Sequence, residues 1–279
     1  MAASSRYWYE LSSDEIAALP ANCVAVLPVA AIEQHGTHLP LGTDTFINRG
    51  ILQRTLDVLE ESVPVVILPE QAVGASQEHM DYAGSLYHPA DKLIGQWTRV
   101  LEGAVQGGVK RLLIFNSHGG QSGLLAPVCL DLRVRHGVAA AYAAWFDAGY
   151  PDGLFDEVEM RYAMHGGAVE TSLMLHLRPE LVRIDKAVKA PYGAIAIEAA
   201  TRQLSANPGG GRLGGLGWKS QDISIHGIDG DAGAASAEKG RLLLDHLAAR
   251  LADLLRDLAG DGVPVVERPH AVFIPAHRR

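Results

Sequence analysis

Val24-Ala25-Val26-Leu27-Pro28-Val29 is a six-residue apolar run that leads, three apolar residues later, into Glu33-Gln34-His35-Gly36. A run this short, rich in β-branched residues and opening onto polar ones, reads as a buried strand with chemistry at its carboxyl end. The pattern returns at Val63 to Leu68, Val109 to Phe115 and Val138 to Phe146. Helical patterns fall between these runs at Ile47 to Leu59, Ala90 to Val105 and Gly123 to Val134. Two more follow at Gly167 to Leu177 and Ala234 to Leu258, the latter with an apolar stripe of Leu242, Leu243, Leu247, Leu251 and Leu254. Alternating strands and helices predict an α/β fold with a mainly parallel central sheet covered on both faces. The Gly-rich segment from Ser205 to Gly233 is predicted to be loop, closing over a site or packing on a neighbouring subunit.

The chain has 279 residues, 48% apolar and 20% charged, enough to bury a large core. No linker, repeat or low-complexity run divides it, so a single domain over residues 1–279 is expected. A formal charge of -8 without a Lys/Arg cluster argues against nucleic acid or an anionic membrane as partner. A small-molecule substrate fits better. Cys23 and Cys129 lie in apolar runs and read as buried thiols rather than ligands or a disulfide. Neither a secretory h-region in Met1 to Glu10 nor an apolar stretch of membrane-spanning length is found, which predicts a cytoplasmic protein.

Three polar clusters stand where strands are predicted to end, the edge at which open parallel sheets bind ligands. The first is Glu33-Gln34-His35-Gly36-Thr37-His38-Leu39-Pro40-Leu41-Gly42-Thr43-Asp44. Glu33 and His35, two apart in extended chain, share a face, and Asp44 can fold back toward them. The second, Asn116-Ser117-His118-Gly119-Gly120-Gln121, sets a histidine before two glycines whose amides can approach a ligand; a tight turn with an exposed histidine is the alternative. In the third, His165-Gly166-Gly167-Ala168-Val169-Glu170-Thr171-Ser172, helical spacing puts Glu170 on the stripe of Leu173, Met174 and Leu177. A buried carboxylate needs a cation, and the choice lies between an arginine and a metal. Oxygen and imidazole donors without thiolate suit Zn, Mn or Fe in a catalytic role, and five ligands, Glu33, His35, Asp44, His118 and Glu170, suit two divalent ions. His38 reads as structural, and His136, His176, His226, His246, His270 and His277 as ordinary.

In order along the chain, these clusters together with Gly74-Ala75-Ser76-Gln77-Glu78-His79, Gly230-Asp231 and Ala237-Glu238-Lys239-Gly240 make the sequence resemble the creatininase (creatinine amidohydrolase) family. The resemblance runs from about Glu10 to Leu258. It implies a three-layer α/β/α fold, a two-metal amidohydrolase site and a hexamer. Glu33, Asp44 and His118 would hold one metal, His35 with bridging Asp44 the other, Glu170 would be the remaining ligand and His165 the proton shuttle. Ser76, Glu78, His79 and the Gly119 and Gly120 amides would contact substrate. Creatininase itself carries a Tyr-Glu pair where this chain has Gly119-Gly120, and a Trp-Asp pair where it has Arg161-Tyr162. Creatinine is therefore not the expected substrate. Tyr82 to Ser85 also departs from the family's Phe-Pro-Gly-Thr, which implies an altered pocket wall. The expected activity is hydrolysis of a C–N bond in a small cyclic amide or formamide by a metal-bridging hydroxide, with a cyclic ketone or lactone, or metal binding without turnover, as alternatives.

Overall fold

The computed structural model describes residues 4–206 and 211–265. His270, His277 and residues 207–210 of the Gly-rich segment lie outside the described residues. In chain order the elements are α1 (Ser13–Ala17), β1 (Val24–Val29), α2 (Thr43–Val58), β2 (Val65–Ile67), α3 (Ala90–Gln106), β3 (Arg111–Asn116), α4 (Leu125–His136) and β4 (Ala139–Ala144). There follow α5 (Glu157–Tyr162), α6 (Ala168–Leu177), β5 (Lys189–Ala190), α7 (Gly193–Ala200), β6 (Leu204–Ser205), β7 (Gly214–Gly215), α8 (Ser220–Ile223), β8 (Gly230–Asp231) and α9 (Ala237–Ala259).

The central sheet has the order β2-β1-β3-β4 and every pairing in it is parallel. Successive residues of β1 supply opposite faces. Val24 and Val26 join Ile47 and Ile51 of α2, Leu173 of α6 and Leu243, Leu247 and Leu251 of α9. Ala25, Leu27 and Val29 join Leu93, Trp97 and Leu101 of α3 and Val128 and Leu132 of α4. The three-layer α/β/α fold follows from this alternation. Cys23 and Cys129 are both buried free thiols. Among the described residues no helix is long and apolar enough to cross a membrane.

Four expectations are refined. The first long helix starts at Thr43 rather than Ile47, because Pro40 and Gly42 turn the chain and Thr43 Oγ1 donates to Pro40 O at 2.7 Å. Asp44 thus stands in the first helical turn, where the helix dipole favours a carboxylate, instead of on a returning loop. Leu242 is exposed at 39%, off the stripe that its neighbour Leu243 occupies, since adjacent helical residues are about 100° apart. The segment predicted as loop carries β7, α8 and β8. Trp145, assigned by pattern to the fourth strand, opens a 3-10 turn, Trp145–Ala148.

Chain order sends β1 to β2 on one side and then to β3 on the other, α2 covering one face and α3 the opposite one. The carboxyl ends of β1 and β3 are therefore the switch point of the sheet, where loops diverge and leave a crevice. Asn48 of α2 closes its floor, its amide donating to Val29 O at 3.2 Å and Phe115 O at 3.1 Å.

On the α9 side the layers meet closely. A methyl group on Gly240 would overlap the Ser172 carbonyl of α6, whereas one on exposed Gly103 of α3 would meet open space. Gly103→Ala should gain up to about 1 kcal/mol from helix propensity, while Gly240→Ala should lose about 1–3 kcal/mol to overpacking. Denaturant titration of the two variants checks the difference in sign.

Candidate metal centre

Glu33 leaves β1 in a loop that closes on itself, its amide donating to Leu41 O at 3.0 Å. Gly36, with φ +69, makes the bend and lets its amide donate to Gln34 Oε1 at 2.9 Å. After β3, the Asn116 side chain holds His118 from both sides, accepting from its amide at 3.0 Å and donating to its carbonyl at 2.7 Å. These two loops bring the predicted donors together. His118 Nδ1 lies 3.2 Å from Glu33 Oε1 and 3.6 Å from Asp44 Oδ2. Asp44 Oδ1 in turn lies 3.4 Å from His35 Nε2, and Glu170 Oε2 is 3.8 Å from the same nitrogen. Asp44 thus stands between His35 and His118.

The second ring nitrogen of each histidine fixes its tautomer. His35 Nδ1 sits 3.1 Å from Glu33 O and His118 Nε2 3.0 Å from Ala75 O, so each donates there and offers its other nitrogen to the centre. His165 Nε2 donates to Gln34 O at 2.5 Å, leaving Nδ1 3.6 Å from Glu33 Oε1. Four sets of three donors lie close enough to share an ion: Glu33, His35 and Asp44; Glu33, Glu78 and His118; His35, His165 and Glu170; Glu33, His79 and His165.

Burial and charge work against each other here. Burial, with Glu33 next, lifts the Asp44 carboxyl to about 7. Burial alone would lower His35, but Asp44 and Glu170 outweigh it and raise the imidazole to about 10. His118 is likewise raised well above its ordinary value, Glu33 overcoming burial. Glu33 is held well below the usual carboxylate range, the neighbouring His118 outweighing burial. His165 falls to about 4 through burial and the charge on His35, short of the near-neutral titration that suits a shuttle. Glu33 Oε2, His35 Nε2 and Asp44 Oδ2 are buried without a hydrogen-bond partner. Such atoms cost roughly 1–3 kcal/mol each, more when charged, unless a cation meets them. No Lys or Arg is among the described residues lining the cavity over the cluster. The residues present fit divalent metal.

That cavity measures about 760 Å³ and is walled by Trp145, Phe146, Tyr150 and Trp218 as well as Glu78, His79, Gly119 and Gly120. Ser76 is wholly buried with its hydroxyl unpartnered, and it is not among the residues that line the cavity. His79 is buried, with Nε2 3.4 Å from Glu33 Oε1. Glu170 is half-buried at the cavity edge, and its partners are the Gly166 amide at 2.6 Å and His35 rather than an arginine. His38 is buried with Nε2 2.9 Å from Thr171 Oγ1 and belongs to none of the donor sets, in keeping with a structural role. Tyr82 to Ser85 does not line the cavity; Ser85 Oγ instead accepts the Gln34 amide at 3.1 Å.

The supporting residues were missed. Gln34 donates to His79 Nδ1 at 2.9 Å, to Ser220 Oγ at 3.1 Å and to the Gly227 carbonyl, tying the Gly-rich segment to the site. Asp229 accepts the amides of Met164 and His165 at 2.8 Å each, and burial raises its carboxyl to about 7. Glu159 accepts from Ala168 N, Tyr192 Oη and Asp231 N. Gln34 lies within the first polar cluster, but its partners Ser220 and Gly227 are about 190 residues away and no local pattern announces them.

The family model described as Creatinine amidohydrolase matches residues 9–255. The mycofactocin precursor peptide peptidase of Mycobacterium ulcerans is 31% identical over 259 residues, covering 87% of this chain and 90% of that protein. Creatinine amidohydrolase of Pseudomonas putida is 26% identical over 267 residues, covering 85% and 90%. A manganese creatininase superposes with a TM-score of 0.73 at 24% identity over 91% of this chain and 98% of that one. A mutant creatininase of the Zn-Zn type matches with the same TM-score, identity and coverage. The chain belongs to the creatininase family of hydrolases. It is a member other than creatininase itself, matching the peptidase at higher identity than the creatinine hydrolase.

Gln34→Ala would leave the Gly227 carbonyl and the Ser220 hydroxyl without this donor. We expect a loss of about 1–3 kcal/mol and faster amide exchange across residues 220–230, read by hydrogen exchange. Unchanged protection of that segment would show that Gln34 does not anchor it.

Proposed function

We propose that this chain is a metal-dependent hydrolase that cleaves a C–N bond in a small amide such as a cyclic amide or formamide. The observation that carries the reading is the convergence of unpartnered buried atoms on Glu33, His35 and Asp44 at the floor of one cavity. Glu33, Asp44 and His118 would hold one ion, and His35, Asp44 and Glu170 a second, Asp44 lending one oxygen to each. Oxygen and nitrogen donors suit zinc or manganese, with iron a further candidate, and relatives of known structure include manganese and zinc forms. When bound, such ions activate water near neutral pH and polarise a carbonyl.

The protein's own groups supply the rest. Gly119 and Gly120 line the cavity, and their amides would donate to the carbonyl oxygen as it gains charge. His165, neutral and with Nδ1 facing the cluster, accepts a proton as the carbonyl is attacked and returns it to the departing nitrogen. Aromatic walls exclude water and pack against a planar substrate. A second reading, a peptide substrate, is favoured by the cavity volume of about 760 Å³. That lies in the range of roughly 300–1,000 Å³ that takes ligands well above the size of a small lactam. The reading includes a cytoplasmic homo-oligomer, a hexamer by family resemblance, which sizing with light scattering would test.

Elemental analysis should find about two divalent ions per chain, and chelation should abolish turnover of amide or peptide substrates. Full activity with one ion or none would overturn the two-ion reading. Asp44→Ala should empty both positions, whereas His35→Ala should weaken one; equal retention would show that Asp44 does not bridge.

His165→Ala should keep its metal and lose roughly 10²–10⁴ in rate, whereas His118→Ala should lose metal and turnover together. Metal loss in the His165 variant would make His165 a ligand, a role its place in two donor sets also allows.

A further inference from the structure

We infer that Glu78 is a ligand of the ion held by Glu33 and His118, and that Gly120 lacks a side chain because the Glu78 carboxylate fills that space. This rests on the two-ion reading and changes the role of Glu78 from substrate contact to metal holder.

Glu78 lies in the 3-10 turn Gln77–His79, on the loop that follows β2, and reaches the donors that follow β1 and β3. The loop is seated against His118, whose Nε2 donates to Ala75 O at 3.0 Å. Glu78 Oε1 lies 3.4 Å from the same outer nitrogen, which seats the carboxylate beside the ring, and Glu33, Glu78 and His118 are close enough for each to offer an atom to one ion. Within this set the Glu33 carboxylate is 1% exposed and its Oε2 has no hydrogen-bond partner. Two carboxylates brought together with one of them buried and short of a partner need positive charge between them.

The glycine supplies an independent constraint. A methyl group on Gly120 would overlap Glu78 Oε1 and stand 2.7 Å from His118 Nε2. Gly123, in the same 3-10 turn and also on the cavity wall, has open space around it. An alanine at 120 should therefore displace the Glu78 carboxylate, while an alanine at 123 should not.

The test compares wild type, Glu78→Gln, Gly120→Ala and Gly123→Ala, each dialysed against zinc or manganese at stated free concentration. Ion content is read by elemental analysis and affinity from the thermal shift on adding the metal alone. Circular dichroism of each metal-free variant checks folding. We expect Glu78→Gln and Gly120→Ala to drop to about one ion per chain. The affinity for the lost ion should fall by more than the roughly 10–100-fold that losing an outer partner costs, while Gly123→Ala keeps wild-type content. If Glu78→Gln does not fold, Gly120→Ala carries the same expectation with the carboxylate still present. Wild-type ion content and affinity in Glu78→Gln, or in a folded Gly120→Ala, would overturn the inference. Wild-type protein that binds neither ion would instead overturn the two-ion reading itself.

Discussion

The rest of the site depends on one electrostatic constraint: carboxylates gathered at the end of an apolar sheet with no lysine or arginine among them. Glu33 and Asp44 are almost wholly buried, and Glu78 and Glu170 join them from the cavity side. Burial of an unpaired carboxylate costs several kcal/mol, so the cluster needs positive charge. The neighbouring carboxylates raise His35 and His118, while burial and Glu33 lift Asp44 toward the neutral form, so each group's charge is set by the others.

The fold makes this arrangement possible by delivering its donors from separate loops. Strands β1 and β3 are neighbours, but the chain reaches β3 only after crossing to β2 and back, so the loops at their ends part and leave room. The loop after β2 returns over that gap with Glu78 and His79. Helix α2 contributes Asp44 from its first turn and pins the strand ends with Asn48. Donor groups fixed on strand ends and a helix terminus move little, and the hydrogen bond on the far nitrogen of each imidazole sets its direction. The Gly-rich segment adds a roof, since Leu216, Gly217 and Trp218 line the cavity and Gln34 holds Ser220 and Gly227 beneath them.

Much of this was legible in the sequence because it is local. The period of two in Val24 to Val29 and the longer helical periods carry the layers, and Glu33, His35, His118 and Glu170 follow strands or open a helix, as the pattern suggests. What escaped was long-range or lay at boundaries. The start of α2 depends on a hydrogen bond to Pro40 and a turn at Gly42, too weak a signal to outrank the apolar period that begins at Ile47. Asp229 and Glu159 bind backbone amides, which have no sequence signature at the receiving end. The burial of Ser76 is likewise invisible in the sequence, because a polar residue next to a motif carries no sign of how deep it lies.

Glu159 and Asp229 also explain how one half of the chain can hold a histidine rigidly against the other half. Glu159 joins the start of α6, Tyr192 and the amide of β8, so three segments meet on one carboxylate. Asp229 then grips the backbone of Met164 and His165, and the His165 carbonyl accepts the Asp229 amide at 2.9 Å. With its ring held by the Gln34 carbonyl, His165 is fixed at both ends. Rotamer freedom that would otherwise be lost during reaction is removed on folding, which is what preorganisation requires. The structure thus places rigidity around His165, the proposed shuttle, and leaves the carboxylates of Glu78 and Glu170 more exposed than Glu33 and Asp44 at the cavity side.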